Sequence, residues 1–332
     1  MIINMDLGKN SYDIVVERGC LNKACELLDL NRKVLIVTDD GVPEKYSKTV
    51  AKMCKEPYIE CVAQGEGSKS FKTYEYLLGK LLEYGFTRGD CVVAVGGGVV
   101  GDLSGFVASS FMRGIDFYNI PTTLLSQIDS SIGGKVAINL KGIKNIVGAF
   151  YQPKKVLIDP DVLKTLPERQ ISNGLAEAIK MSLTSDAELF DLFETKDILE
   201  NIDEIIIKSL KIKRMVVQQD EKEKGLRKIL NFGHTIGHGI ESTMKLYHGE
   251  CVALGMIPMC GIDVRSRLIK VLEKADLPTN IAIDKEACLS AIKHDKKFDK
   301  DKITVIYVNS PGEFEMKKLT IEELSEITKD VI

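Results

Sequence analysis

The sequence predicts an α/β domain built on a parallel sheet over residues 1–167, followed by a mainly α-helical domain over 168–332. Three observations carry this. Short apolar runs alternate with helical stretches through the first half, as they do when parallel strands are joined by crossover helices. KVLIVTDD (33–40) and CVVAVGGG (91–98) are almost unbroken apolar runs, the pattern of strands buried on both faces. After LKTLPERQ (163–170) helical periodicity dominates.

Taken in order, MIINMDLGKNSYDIVVERG reads as a strand pair, and it lacks the apolar core and cleavage site of a signal peptide. Residues 33–40 form a strand, 43–55 a helix and 58–63 a strand. SFKTYEYLLGKLLEYG (70–85) has apolar residues at helical spacing and stops at Gly85. Residues 91–98 are a strand running into glycines, GDLSGFVASSF starts a helix, and 117–121 and 155–160 are strands. In the second half, ISNGLAEAIKMSL, LENIDEIIIKSLKIKRMVVQQ and the histidine-rich segment read as helices. ITVIYV (303–308) is a strand, followed by a turn at Ser310-Pro311-Gly312 and a short helix. DEKEKGLRK (220–228) reads as a solvated charged loop.

With 44% hydrophobic and 28% charged residues, the chain has the composition of a globular protein. A net charge of −3 argues against bulk binding to nucleic acid or anionic lipid. No run reaches the ~18 apolar residues needed to span a bilayer. The eight cysteines form no C-x-x-C pair and read as reduced thiols, consistent with a cytoplasmic protein.

Three of the four histidines, His234, His238 and His248, lie in NFGHTIGHGIESTMKLYHGE. A helix would put His234 and His238 on one face, and neutral imidazole is the commonest zinc ligand. Gly233, Gly237, Gly239 and Gly249 surround them, implying close approach by another group. Glu177 sits on an otherwise apolar helix with Lys180 one turn later. This is either a surface ion pair or a carboxylate completing a His/His/Glu site.

Gly96-Gly97-Gly98-Val99-Val100-Gly101-Asp102 matches G-x-G-x-x-G after a strand, where backbone N–H groups can cradle a pyrophosphate. The motif is not in the first strand–helix turn, so a phosphate-cradling loop of a different dinucleotide fold fits better than the standard fingerprint. Asp39 ends the first buried strand, where a carboxylate can bind a ribose hydroxyl. Thr122 and Thr123 are helix caps or nucleotide contacts. Asp129-Ser130-Ser131-Ile132-Gly133-Gly134-Lys135, with Lys144-Asn145 beyond, suits an anion better than packing.

GGGVVGDLSGFVASSFMRG, PTTLLSQIDSSIGGK, KNIVGAFYQP, LKTLPERQISNGLAEAIK and NFGHTIGHGIE…HGE, in this order, resemble the 3-dehydroquinate synthase family of sugar-phosphate cyclases over about Asp39–Lys297. The resemblance implies a Rossmann-like NAD-binding domain and a helical metal- and substrate-binding domain. It implies zinc or cobalt held by Glu177, His234 and His248, with His238 an acid–base residue on the substrate side. NAD would lie against Asp39, Glu66, Lys69, Gly97, Gly98, Val99, Val100, Gly101, Asp102, Thr122, Thr123, Lys135, Lys144, Val162, Leu163, Lys164 and Thr165. Substrate would be held by Asp129, Lys135, Asn145, Lys180, Lys213, Glu223, Arg227 and Asn231, with one of Lys296 and Lys297. Arg113 would reach the site of a partner in a homodimer. Two departures from the family pattern are Val136, where Thr is usual, and the connection NLKGIKN.

The implied reaction converts 3-deoxy-arabino-heptulosonate 7-phosphate to 3-dehydroquinate and phosphate in the shikimate pathway. NAD takes hydride from C5, phosphate is eliminated, the hydride returns, and an aldol step closes the carbocycle. The rivals are another sugar-phosphate cyclase, a metal-dependent polyol dehydrogenase and a catalytically inactive binding protein. Only the dehydrogenase would accumulate NADH, and an inactive protein would be expected to have lost metal ligands.

Overall fold

A computed structural model describes residues 1–282, 285–293, 298–299 and 302–328. The chain divides into two compact units, Met1–Leu166 and Pro167–Ile332.

The first unit contains strands β1 (Ile2–Met5), β2 (Tyr12–Val16), β3 (Lys33–Asp39), β4 (Glu56–Val62), β5 (Cys91–Gly96), β6 (Asp116–Pro121), β7 (Lys135–Leu140), β8 (Ile143–Phe150) and β9 (Lys155–Ile158). Seven of them form one sheet in the order β1-β2-β9-β6-β5-β3-β4. Every pairing in it is parallel except β1 with β2. The apolar runs explain themselves here, because consecutive residues serve opposite faces. Val34, Ile36, Val93 and Val95 enter one core cluster, and Leu35, Val37, Val92 and Ala94 enter the other. Each valine, leucine or isoleucine among them contributes about 1.5–3 kcal/mol of burial.

The order around β3 and β5 positions the glycine loop. The chain runs from β3 outward to β4, then returns to the other side of β3 as β5, so β3 and β5 flank a topological switch point. In open parallel sheets, ligands bind in the crevice outside the carboxyl ends of strands at such a point. Asp39 ends β3 and Gly96 ends β5. The glycine motif is late in the sequence because it follows the strand on the far side of the switch.

β7 and β8 form a separate antiparallel hairpin, in a stretch to which the sequence reading assigned no element. Lys141 (φ 50°) and Gly142 (φ 79°) make its two-residue turn, both in the left-handed region that such tight hairpins use.

The second unit is mainly helical, with a small antiparallel sheet of Phe298–Asp299, Lys302–Tyr307 and Glu315–Leu319. Only the middle one of these strands was foreseen. The helix Glu168–Ser185 lies at the centre, buried at every position from Ser172 to Thr184. The helices His234–Thr243 and His248–Met256 pack together, and the latter also packs on Glu168–Ser185. No helix among the described residues is long and apolar enough to cross a membrane.

Candidate metal centre and nucleotide loop

The glycines around the histidines are explained by helix packing. A Cβ on Gly255 would stand 2.0 Å from the Gly233 carbonyl oxygen, one on Gly249 2.1 Å from the Asn173 carbonyl oxygen, and one on Gly237 2.9 Å from the Cys251 carbonyl oxygen. What approaches so closely is the backbone of neighbouring helices. Gly233 also takes φ 75° immediately before His234, which turns the chain into its helix.

The start of the helix His248–Met256 is tied to the central helix. Gly249 N–H donates to Asn173 Oδ1 at 2.6 Å. Arg169 donates to both oxygens of Glu250, at 2.6 and 2.9 Å, and Glu250 Oε2 accepts the Tyr247 N–H at 2.8 Å. Arg169, Asn173 and Glu177 recur every four residues, so one face of the central helix both anchors its neighbour and meets His248. None of Arg169, Asn173 and Glu250 was singled out in the sequence.

Glu177 and Lys180 are fully buried and form an ion pair, so the surface-pair reading is wrong. His248 Nε2 lies 3.3 Å, and His234 Nε2 3.6 Å, from Glu177 Oε1. Two ligands each about 2.0–2.1 Å from a tetrahedral zinc stand roughly 3.3–3.5 Å apart, so these separations suit a shared ion. Among the described residues neither Glu177 oxygen accepts a well-formed hydrogen bond. A fully buried carboxylate is costly unless its oxygens are paired, and among the described residues Oε2 meets the Lys180 ammonium while Oε1 faces the two imidazoles. The donor atoms of Glu177, His234 and His248 all fall within 4.8 Å of one another.

Metal binding at this cluster would displace a proton from His248, because a ligating imidazole must be neutral. Burial alone would raise Glu177, but Lys180 and the two imidazoles hold it well below the usual carboxylate range. Burial pushes His234 well below the usual imidazole value, which keeps it neutral. Burial also opposes charge on His248, yet the facing carboxylates of Glu177 and Glu241 raise it to about 9. The His234 Nδ1 is 3.1 Å from the Phe232 carbonyl oxygen, and the His248 Nδ1 is 3.2 Å from Glu241 Oε2. Both rings therefore turn Nε2 toward Glu177.

His238 lies one turn along from His234, with ring centroids 5.4 Å apart, as the spacing requires. It does not join the Glu177 cluster. It groups instead with Glu241 and His248.

The charged loop is a built turn. The Asp220 carboxylate accepts the N–H groups of Lys224, Gly225 and Arg227, at 2.8, 2.7 and 3.0 Å. The rest of the segment is exposed or half-buried, as a solvated loop is, but Arg227 is buried, and its guanidinium donates to the Glu221 carbonyl oxygen at 2.6 Å. Asn231 donates to Glu223 Oε1 at 3.0 Å, which brings together two residues that the resemblance implicated. Lys213 is buried on the helix Ile202–Gln219, and the turn Leu226–Asn231 packs against that helix and the central one. Lys296 and Lys297 lie outside the described residues.

In the first unit, Gly97 caps the helix Gly98–Ser110, whose first N–H groups face the loop. A Cβ on Gly97 would stand 3.0 Å from Thr123, and one on Gly98 2.9 Å from Ser130 Oγ. That Ser130 hydroxyl is buried and unpartnered among the described residues. Gly101 stands against Asn119 in the same way, at 3.0 Å. The Val99 and Val100 positions open the helix, and the Val100 side chain goes into the core, so only its backbone can serve a ligand. Burial raises Asp39, whose Oδ1 accepts the Gly41 N–H at 2.9 Å. Thr122 N–H donates to Gly96 O, and Thr123 Oγ1 accepts from Ser126 N–H at 3.2 Å, so Thr123 is a cap.

Lys69 is buried and joins several predicted residues. Its Nζ is 2.7 Å from Asp102 Oδ2 and 3.6 Å from Glu66 Oε1, and it also donates to Asn145 Oδ1. Asn139, missed in the sequence, braces this cluster: its side chain donates to Glu66 at 2.8 Å and accepts the Asn145 N–H at 2.8 Å. Its only signal was its place in the unusual NLKGIKN connection. Lys135 and Lys144 are exposed on the hairpin, and Asp129 is half-buried. Val162 and Leu163 are buried, Lys164 pairs with Asp161, and Thr165 hydrogen-bonds Tyr46. Arg113 is exposed and holds φ 71°.

The 3-dehydroquinate synthase N-terminal family model matches residues 59–173, and its C-terminal counterpart matches 174–298. The 3-dehydroquinate synthase of Enterococcus faecalis is 42% identical over 348 residues, covering 98% of this chain and 97% of its own. The chain belongs to the 3-dehydroquinate synthase family. Another member, from Thermoanaerobacter pseudethanolicus, is 41% identical over 353 residues, covering 98% of this chain and 99% of its own. Beyond the family, 2-epi-5-epi-valiolone synthase from Streptomyces hygroscopicus subsp. jinggangensis, solved with NAD+ and Zn2+ bound, is 27% identical with a TM-score of 0.87 over 95% of both chains. A structure of 2-deoxy-scyllo-inosose synthase shares the fold over 100% of both chains, with a TM-score of 0.91 at 24% identity. The expected two-part, sugar-phosphate cyclase-like fold is the one observed.

Proposed function

We propose that this chain is a phosphate-eliminating lyase that converts 3-deoxy-arabino-heptulosonate 7-phosphate to 3-dehydroquinate, using NAD and one zinc or cobalt ion. The observation that carries this is identity of 41–42% to 3-dehydroquinate synthases over nearly the whole of both chains. The buried Glu177–His234–His248 cluster supports it, being a three-ligand set of the kind that catalytic zinc sites use. The cyclases of other specificity stand at 24–27% identity.

When bound, the metal supplies Lewis-acid polarisation of a substrate hydroxyl, and NAD supplies a hydride acceptor that gives the hydride back. Glu177, His234 and His248 hold the ion through one carboxylate and two Nε2 atoms. Lys180 balances the charge of Glu177. His238 moves a proton on the substrate side, beside the His234 and His248 rings but outside the Glu177 donor set. Lys213, Arg227 and Asn231, with Glu223 orienting Asn231, hold the phosphate and carboxylate of the substrate by charge-assisted bonds. Asp129, Lys135 and Asn145 contribute further substrate contacts.

The glycine loop Gly97–Gly101 takes the pyrophosphate on backbone N–H groups, and Asp39 takes a ribose hydroxyl. Glu66, Lys69, Asp102, Thr122, Thr123, Lys144 and the segment Val162–Thr165 complete the NAD contacts. The protein acts in the cytoplasm as a homodimer, with Arg113 placed toward the partner. Incubating the purified protein with NAD, zinc and the heptulosonate phosphate tests the reading. It requires 3-dehydroquinate and phosphate in equal amounts, identified by mass spectrometry and phosphate assay; absence of the carbocycle contradicts it.

A further inference from the structure

We propose that Glu241 is a positioning residue for the metal: it accepts the Nδ1–H of His248 and so presents His248 Nε2 to the ion. The inference rests on the reading that Glu177, His234 and His248 hold a divalent metal. Its own basis is the geometry on the other side of the His248 ring. One ring nitrogen stands 3.3 Å from Glu177 Oε1, and the other stands 3.2 Å from Glu241 Oε2. An imidazole has one tautomer that donates from Nδ1 and offers a lone pair at Nε2, and a carboxylate at Nδ1 selects it.

The two histidines are oriented in different ways. His234 has a backbone carbonyl at its Nδ1, that of Phe232, fixed by the turn two residues earlier. His248 opens its helix and has a side-chain carboxylate from the helix before it. Glu241 follows His234 by two helical turns, so the face that carries one ligand also carries the group that aims the other.

A competing arrangement exists. His238, Glu241 and His248 also bring donor atoms within 4.8 Å, and in that set Glu241 would itself bind the ion. The burial of the carboxylates decides between them. Glu177 is fully buried and turns Oε1 to the Nε2 atoms of both His234 and His248, whereas the Glu241 side chain keeps 19% of its exposure. His248 offers Nε2 to the Glu177 set and Nδ1 to Glu241, so the ring serves both as ligand and as anchored group.

The test measures zinc affinity by chelator competition in the parent, Glu241→Ala and Glu241→Gln, with the visible spectrum of the cobalt-loaded proteins as a second readout. Glu241→Ala is expected to weaken zinc binding by about 10–100-fold. Glu241→Gln keeps an acceptor for Nδ1–H and is expected to recover most of that loss. The cobalt spectrum, which reports the ligand set, is expected to be the same in all three. Unchanged zinc affinity in Glu241→Ala would overturn the proposal, as would a Gln variant no better than Ala. A cobalt spectrum altered in Glu241→Ala would overturn it too, by showing that Glu241 is itself a ligand. A parent protein that takes up neither ion would overturn the metal reading together with this one, whereas a parent that binds normally isolates the result to Glu241.

Discussion

Gly255 packs against Gly233 so closely that a Cβ on Gly255 would lie 2.0 Å from the Gly233 carbonyl oxygen. His234 follows Gly233 directly, so the contact between two helices sets the position of a proposed metal ligand. Gly255→Ala must push backbone, not a flexible side chain. The expected cost is at least the ~1–3 kcal/mol of an overpacked core, with weaker zinc retention. Urea unfolding and zinc content check this; a variant that matches the parent in both would show that the helices can separate without disturbing the site.

Removing either of two proposed metal ligands should have different consequences for stability. Glu177→Gln and His248→Ala are both expected to lose zinc on purification. In chelator-treated protein, however, Glu177→Gln also leaves the buried Lys180 without its counter-charge. Breaking a buried pair costs about 3–5 kcal/mol, so Glu177→Gln should be the less stable of the two metal-free variants. Elemental analysis and urea titration give both readings. Full zinc content in either variant contradicts the ligand assignment, and equal metal-free stability contradicts the role given to Lys180.

His238→Ala should keep its zinc while turnover falls by roughly 10²–10⁴-fold, the usual range for a lost acid–base group. Loss of zinc instead would return His238 to the ligand set that helical spacing alone indicated.

Lys213→Ala and Arg227→Ala should raise KM for the substrate and leave NAD affinity in place. Each lost charge-assisted bond to an anion is worth about 1.5–3 kcal/mol, or roughly 10–150-fold. NAD titration by calorimetry beside steady-state kinetics tests the pair. Weakened NAD with unchanged KM would mean that these buried cations serve the nucleotide.

The parallel strands were legible because burial on both faces leaves little choice of residue, as Val34 to Val37 show in their alternating service of two cores. The hairpin β7–β8 was not. Ile143, Ile146 and Phe150 are exposed, so β8 carries no in-and-out alternation. Its order comes from the Lys141-Gly142 turn and the bonds of Asn139, which no periodicity records. The metal site was half-legible. Helical spacing linked His234 to His238 within one helix, but nothing in a period of 3.6 residues connects them to Glu177, which comes from the central helix. That link came from the resemblance to the family. Glu241 and the Arg169–Glu250 clamp carried no signal, because a carboxylate on a helix surface looks the same whether it faces water or a histidine.

The central claim is that the chain uses NAD to make phosphate a leaving group and restores it in the same cycle. The most direct measurement follows phosphate release and absorbance at the NADH band together, with the metal-loaded protein, excess heptulosonate phosphate and NAD at a small fraction of the substrate. The account predicts many equivalents of phosphate per NAD with no lasting rise in NADH. NADH accumulating one for one with substrate consumed, and phosphate release stopping when NAD is exhausted, would contradict it and make the protein a net dehydrogenase on the same fold.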